Sequence, residues 1–117
     1  GVTVPIIGFA RGCGGLVGRY ARETGINAVG MDTGQSAPVI HDFVPQGMPV
    51  QGQLDPLALI AGGRKMIEQA DTIMEAYSDR PLIFNLGHGI QPPTPPEHVA
   101  ELIAHVTGIQ KGKAYDV

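Results

Sequence analysis

The sequence has no tryptophan and one cysteine, Cys13, in 117 residues. A single thiol closes no intrachain disulfide and excludes a zinc site built from cysteines. Lys and Arg total 8 against 11 Asp and Glu, a net charge of −3. No basic stripe or run of like charge exists to track a phosphate backbone, so nucleic acid is not the expected partner. No apolar run approaches the roughly 20 residues that span a bilayer, so no membrane partner is expected either. The opening stretch GVTVPIIGFARG lacks the basic start and cleavage site of a secretory signal, and a cytoplasmic protein is the expectation. Aromatic residues make up only 5% of the chain, which leaves the core to aliphatic side chains.

What the chain does have is glycine (17) and proline (10), dispersed rather than gathered into one tract. With 43% hydrophobic and 16% charged residues, this is the composition of a globular chain with many turns, not of a disordered one. The length suits one small domain. Four short apolar runs recur: VPIIGF (4–9), INAVGMD (26–32), MPVQGQLD (48–55) and LIFNLG (82–87). Each precedes a stretch with helical spacing. After the first, Leu16, Val17, Tyr20 and Ala21 share a face and Gly25 provides the stop. The helix after the second run, around APVIHDFV, is poorly marked. After the third, Asp55-Pro56 reads as an N-cap followed by proline at the first helical position. The helix behind it carries Leu59, Met66, Ile67, Ala70, Ile73, Met74 and Tyr77 on one face, with a break at Gly62-Gly63. After the fourth, Thr94 and Glu97 are spaced as a capping box with Pro95 at the first position. Val99, Leu102, Ile103 and Val106 then point inward.

The pattern β-α-β-α-β-α-β-α, with strands that are continuous apolar runs, predicts parallel α/β architecture. An open doubly wound sheet and consecutive units of a (β/α)8 barrel both satisfy it. The polar residues Asp32, Asp55 and Asn85 to His88 all fall at the C-terminal ends of strands, the edge that carries chemistry in both architectures. A barrel needs about 250 residues, so as a barrel this chain is a partial one, with residues 109–117 as a flexible tail.

His88 lies between Gly87 and Gly89 where a strand stops. Imidazole is the side chain that changes charge between pH 5 and 8, suited to donating a proton or meeting a carboxylate. A loop histidine bonded to backbone is the plainer alternative. Arg11 could reach a substrate carboxylate or stand solvated on the surface. Asp32 fits a site role or a loop-ordering role. Asp55 reads as a cap. RGCGGLVG fits neither G-x-G-x-x-G nor the P-loop pattern. His98 and His105 sit seven apart without a ligand set beside them, so no metal site is expected. Cys13 has no marked partner and reads as inert.

At QGQLDP (51–56) and FNLGHGIQPPTPPEHV (84–99) the chain resembles the uroporphyrinogen decarboxylase family. VPIIGF and TGINAVGMD match the family's preceding strands in order and spacing, so the resemblance covers nearly all of residues 2–108. It implies the C-terminal half of a (β/α)8 barrel and a parent enzyme that removes CO2 from the four acetate side chains of uroporphyrinogen III, giving coproporphyrinogen III, in haem biosynthesis. It also implies a tetrapyrrole substrate, no cofactor and a homodimer. The resemblance places His88 in the substrate cleft, as the expected catalytic and substrate-binding residue, with Gly87 and Gly89 letting the macrocycle approach. Arg11 and Asp32 are further candidates for substrate binding. The family's other substrate-binding groups, arginines and an aspartate, belong to the absent N-terminal half. Gln53 departs from the family's usual asparagine, and Thr33 from an aromatic or histidine. Two other outcomes are weighed: a zinc-dependent corrinoid or thiol methyltransferase of the same barrel superfamily, and a non-catalytic half-barrel. Alone, the chain is expected to be inactive, and either to self-associate through exposed strand edges into a barrel-like dimer or to be marginally stable.

Overall fold

The computed structural model describes residues 3–113. Four strands, β1 (Ile7–Phe9), β2 (Ala28–Gly30), β3 (Val50–Leu54) and β4 (Leu82–Leu86), lie in the order β1-β2-β3-β4. Every neighbouring pair is parallel. Helices α1 (Val17–Thr24), α2 (Ala37–Ile40), α3 (Pro56–Ala61), α4 (Gly63–Ala76) and α5 (Pro96–Lys113) fill the connections.

Sequential strand order decides between the two architectures. A doubly wound sheet reverses its order at a switch point and carries helices on both faces. Here all five helices feed one core. Val17 of α1, Ile40 of α2, Leu59 of α3, Met66 and Ala70 of α4, and Leu102 of α5 close over Val29, Val50 and Leu54 of the sheet. Among the described residues, no helix lies on the opposite face. Strand register puts Ile7, Ala28 and Phe9, Gly30, Gln51, Ile83 side by side there. Ile7 and Phe9 are 45% exposed and Ile83 46%, whereas Val29, Val50 and Leu54 are 0% exposed. The architecture is four consecutive βα units of a (β/α)8 barrel, with the lumen side open.

Local signals hold where the sequence supplies a cap. The Asp55 carboxylate accepts the Leu57 amide at 2.9 Å and Pro56 opens α3. Gly25 ends α1 with φ of +71°. The expected break separates α3 from α4 at Gly62, whose φ is +66°. A side chain there would also strike the His98 ring. That ring's Nδ1 lies 2.8 Å from the Leu59 carbonyl oxygen, so His98 serves the end of α3 rather than a metal.

Several expectations change. β1 and β2 are shorter than the apolar runs that announced them. Pro5 has no amide to give, and the Ile6 amide donates to the Asn27 side chain instead of to a strand. The weakly marked second helix is one turn, α2, followed by a 3-10 turn over His41–Phe43. α5 starts at Pro96, and the Thr94 hydroxyl donates back to the Gln91 carbonyl at 2.7 Å, so the cap lies one residue later than spacing suggests. Ile103 is 56% exposed rather than inward. α5 is described to Lys113, within the stretch expected to be a tail; residues 114–117 lie outside the described residues.

At the opposite end of the sheet, His41 Nδ1 lies 3.0 Å from Asp42 and Nε2 3.1 Å from Asp79. These two carboxylates raise the His41 pKa above 6.5, against partial burial and the nearby Arg80 charge. A raised folded-state pKa gives stabilisation that is complete below pH 6.5 and is lost as pH rises through the folded value. The unfolding midpoint is therefore expected to fall as pH is raised from 6.5, more for the wild type than for His41→Gln. Thermal melts of the two proteins across that range check this, and parallel curves would refute it.

Candidate active site

The loops that leave β1, β2 and β4 meet at the C-terminal rim of the sheet. Asp32 follows β2 and His88 follows β4, and the fold brings them into contact: His88 Nε2 lies 2.7 Å from Asp32 Oδ1. The two side chains are 27% and 16% exposed. Asp32 is gripped from its other sides by backbone. The Gly12 amide, from the loop after β1, donates to Oδ2 at 2.5 Å, and the Gly34 amide to Oδ1 at 3.3 Å. Burial opposes ionisation of this carboxyl. The Gly12, Gly34 and Thr33 bonds and the His88 charge outweigh it and hold the pKa below the ordinary 3.8. Of the two roles weighed for Asp32, these bonds show the loop-ordering one, and the same carboxylate faces His88.

Phe9 meets the His88 ring edge to face, with centroids 6.3 Å apart and planes at 89°. Gly87 is buried, and its amide donates to the Leu54 carbonyl at 2.9 Å. A Cβ there would strike the Thr33 side chain and lie 3.1 Å from the Thr33 nitrogen. Position 87 therefore has no room for a side chain, because the end of β4 packs onto the loop that carries Asp32. Gly89 faces open space. Arg11 is exposed and lines the same cavity as His88.

That cavity, about 890 Å³, runs along the open face of the sheet and around β4 to α5. Phe9, Phe84, Leu86, Leu102 and Ile103 give it an apolar floor, and Arg11, Gln51, Asn85 and His88 are among its polar groups. A broad apolar trough with a few polar side chains at its rim has the make-up of a small-molecule site.

A model of the uroporphyrinogen decarboxylase family matches residues 1–109. The chain belongs to the uroporphyrinogen decarboxylase family. Similar curated proteins include the uroporphyrinogen decarboxylase of Granulibacter bethesdensis, 54% identical over 101 residues, and that of Maricaulis maris, 51% identical over 106 residues. These matches cover 86% and 91% of this chain but 29% and 31% of the relatives. The chain spans about three-tenths of the length of the curated relatives it matches, in keeping with four βα units of a larger barrel.

Other residues singled out in the sequence stand apart from this site. Asp55 caps α3. His105 Nε2 lies 2.6 Å from Asp71, so the two α5 histidines have separate partners. Burial, then the Asp32 charge, push the Cys13 thiol up, which favours the unreactive protonated form. Among the described residues, no group of three His, Cys, Asp or Glu is placed to hold a metal. No described helix is long and apolar enough to cross a membrane. The Asp32–His88 pairing is what sequence reasoning missed. Both residues end apolar runs, which marked each one but not their contact.

Proposed function

We propose that this chain forms one wall of the cleft of a cofactor-free carboxy-lyase that takes uroporphyrinogen to coproporphyrinogen, with His88 as the ionisable group that meets substrate. The observation that carries it is the 2.7 Å contact of His88 and Asp32 at the rim of an apolar trough, in a chain of this family. With Nε2 turned to Asp32, Nδ1 is the ring nitrogen left for a substrate group.

The chemistry asks little more of a protein. A proton adds to a pyrrole ring carbon, and the ring becomes the electron sink. The bond between the acetate methylene and its carboxylate then breaks, CO2 leaves, and the electron pair flows into the ring. A proton delivered to the exocyclic carbon completes the methyl group as the ring proton is lost. The protein orients a carboxylate, moves protons and excludes water. His88 and Asp32 provide a mobile proton and a fixed charge; the trough provides an apolar bed. Cations for the remaining carboxylates would come from the rest of a longer chain.

A chimera tests this. Residues 1–109 would replace the matching segment of the Granulibacter bethesdensis enzyme. Coproporphyrinogen formation from uroporphyrinogen is expected. A folded chimera without turnover would refute the proposal, and stoichiometric zinc in it would favour the methyltransferase alternative.

We further propose that the 117-residue chain alone has no turnover and pairs with a second copy. Among the described residues, each outer strand, β1 and β4, has one neighbour. A two-fold axis along the barrel axis would set β4 of each copy parallel to β1 of the other and cover Ile7, Phe9 and Ile83. Sedimentation is expected to show a dimer, and a stable monomer with cooperative unfolding would overturn this. A cytoplasmic location belongs to the same proposal, and fractionation of the native protein checks it.

A further inference from the structure

Gln53 is a polar side chain with 5% exposure inside β3. Its amide nitrogen donates at 2.8 Å to the carbonyl oxygen of Asp32 and at 2.8 Å to that of Gln35. Carbonyls only accept, which fixes the orientation of the amide and turns Oε1 toward the Tyr77 hydroxyl, which donates to it. Tyr77, just past α4, is 1% exposed, and burial pushes its phenol up, so it remains a protonated donor.

The two carbonyls that Gln53 holds are those at the two ends of residues 32–35. Between them lies the Gly34 amide that binds the Asp32 carboxylate, and the same carboxylate meets His88. Gln53 does not line the trough; it lines a separate cavity on the outer side, with Thr33 and Gln35. Any influence it has on the rim must pass through the 32–35 backbone. A buried amide with every polar atom bonded has one favourable orientation, because flipping it sets the amide oxygen against two carbonyl oxygens that can only accept.

We propose that Gln53, oriented by Tyr77, is a positioning residue that clamps both ends of the 32–35 turn and so sets the Asp32 carboxylate against His88. This rests on His88 and Asp32 forming the site. The side chain acts as a strut: Tyr77 anchors it to the helical layer, and its amide reaches forward to the rim. It explains why a long amide occupies this strand position, where a shorter side chain would have to move the backbone to reach both carbonyls.

The test follows the Asp32 carboxyl carbon by NMR while pH is lowered, in the 117-residue chain. His88 and Cys13 face Asp32 and are tracked in the same titration. Gln53→Met is expected to raise the Asp32 midpoint, because the Gly34 amide and His88 lose their alignment with the carboxylate. Tyr77→Phe is expected to raise it by less. Met66→Ala, in the core and 0% exposed, is expected to lower the melting temperature and leave that midpoint alone. Gln53→Met and Tyr77→Phe proteins that melt earlier but keep the wild-type midpoint would reduce Gln53 to a stability role and overturn the proposal. Should Gln53→Met not fold, Tyr77→Phe decides alone, since it removes one hydroxyl and no volume from the strand. The titration involves no substrate, so an inactive chimera with a clamped Asp32 would refute the function and spare the clamp.

Discussion

Replacing His88 by alanine in the active chimera is expected to lower kcat/KM by about 10²- to 10⁴-fold, the range for a positioned proton-transfer group. The side chain removed is partly exposed and faces a cavity, so the loss should fall on activity and leave the unfolding midpoint nearly unchanged. Asp32→Asn is expected to lower activity less and to cost stability as well. Its carboxylate also takes the Gly12 and Gly34 amides, and a neutral amide is a poorer acceptor for both. The folded-state pKa of Asp32 lies below 3.8, so the carboxylate is ionised from pH 5 to 8. Removing its charge should therefore depress the rate across that whole window rather than tilt the profile. Steady-state kinetics on the two variants across that range check the expectation. A His88→Ala chimera as fast as its parent would remove His88 from the chemistry.

The largest stability effect is expected at Leu54, which is 0% exposed on β3 and packed under the helices. Leu54→Ala should cost about 2–5 kcal/mol, through lost burial and the cavity left behind. Small domains hold only about 5–15 kcal/mol in total. A sheet with one bare face should sit low in that range, so this substitution leaves much of the chain unfolded at ambient temperature. Leu57→Ala deletes the same atoms from a side chain 61% exposed on α3, and should stay within about 0.5 kcal/mol of wild type. Urea midpoints at one fixed protein concentration compare the two, since pairing between copies would make the midpoint concentration-dependent. Equal shifts for both would mean that the core is not where burial places it.

The elements were legible wherever the chain carries its own punctuation. Asp55-Pro56, Gly25 and the Gly62-Gly63 pair are local signals, and the structure uses each of them where it occurs. Order and parallelism followed from alternation alone. Periodicity left barrel and doubly wound sheet both open; the motif resemblance chose the barrel, and the sequential strand order agrees with that choice. Ile103 shows the limit from another side. Its spacing on α5 is that of a core residue, but among the described residues no fifth strand lies next to β4 to bury it. Asp32 and His88 were each visible as polar residues ending an apolar run. Their contact depends on β2 and β4 lying two strands apart with loops that lean together, a relation between distant parts of the chain. The Gln53–Tyr77 bond, across 24 residues, was hidden for the same reason.

The fastening of α5 bears on how the loop ahead of it can vary. His98 is tied to the Leu59 carbonyl and His105 to Asp71, so the last helix is bolted to the third βα unit independently of the chain that leads into it. Gly89 to Pro93, exposed throughout, then bridges two anchored points. A protease cut or an inserted peptide in this bridge should leave the helix seated, which makes it the natural place to lengthen or recolour the mouth of the cleft without rebuilding the scaffold.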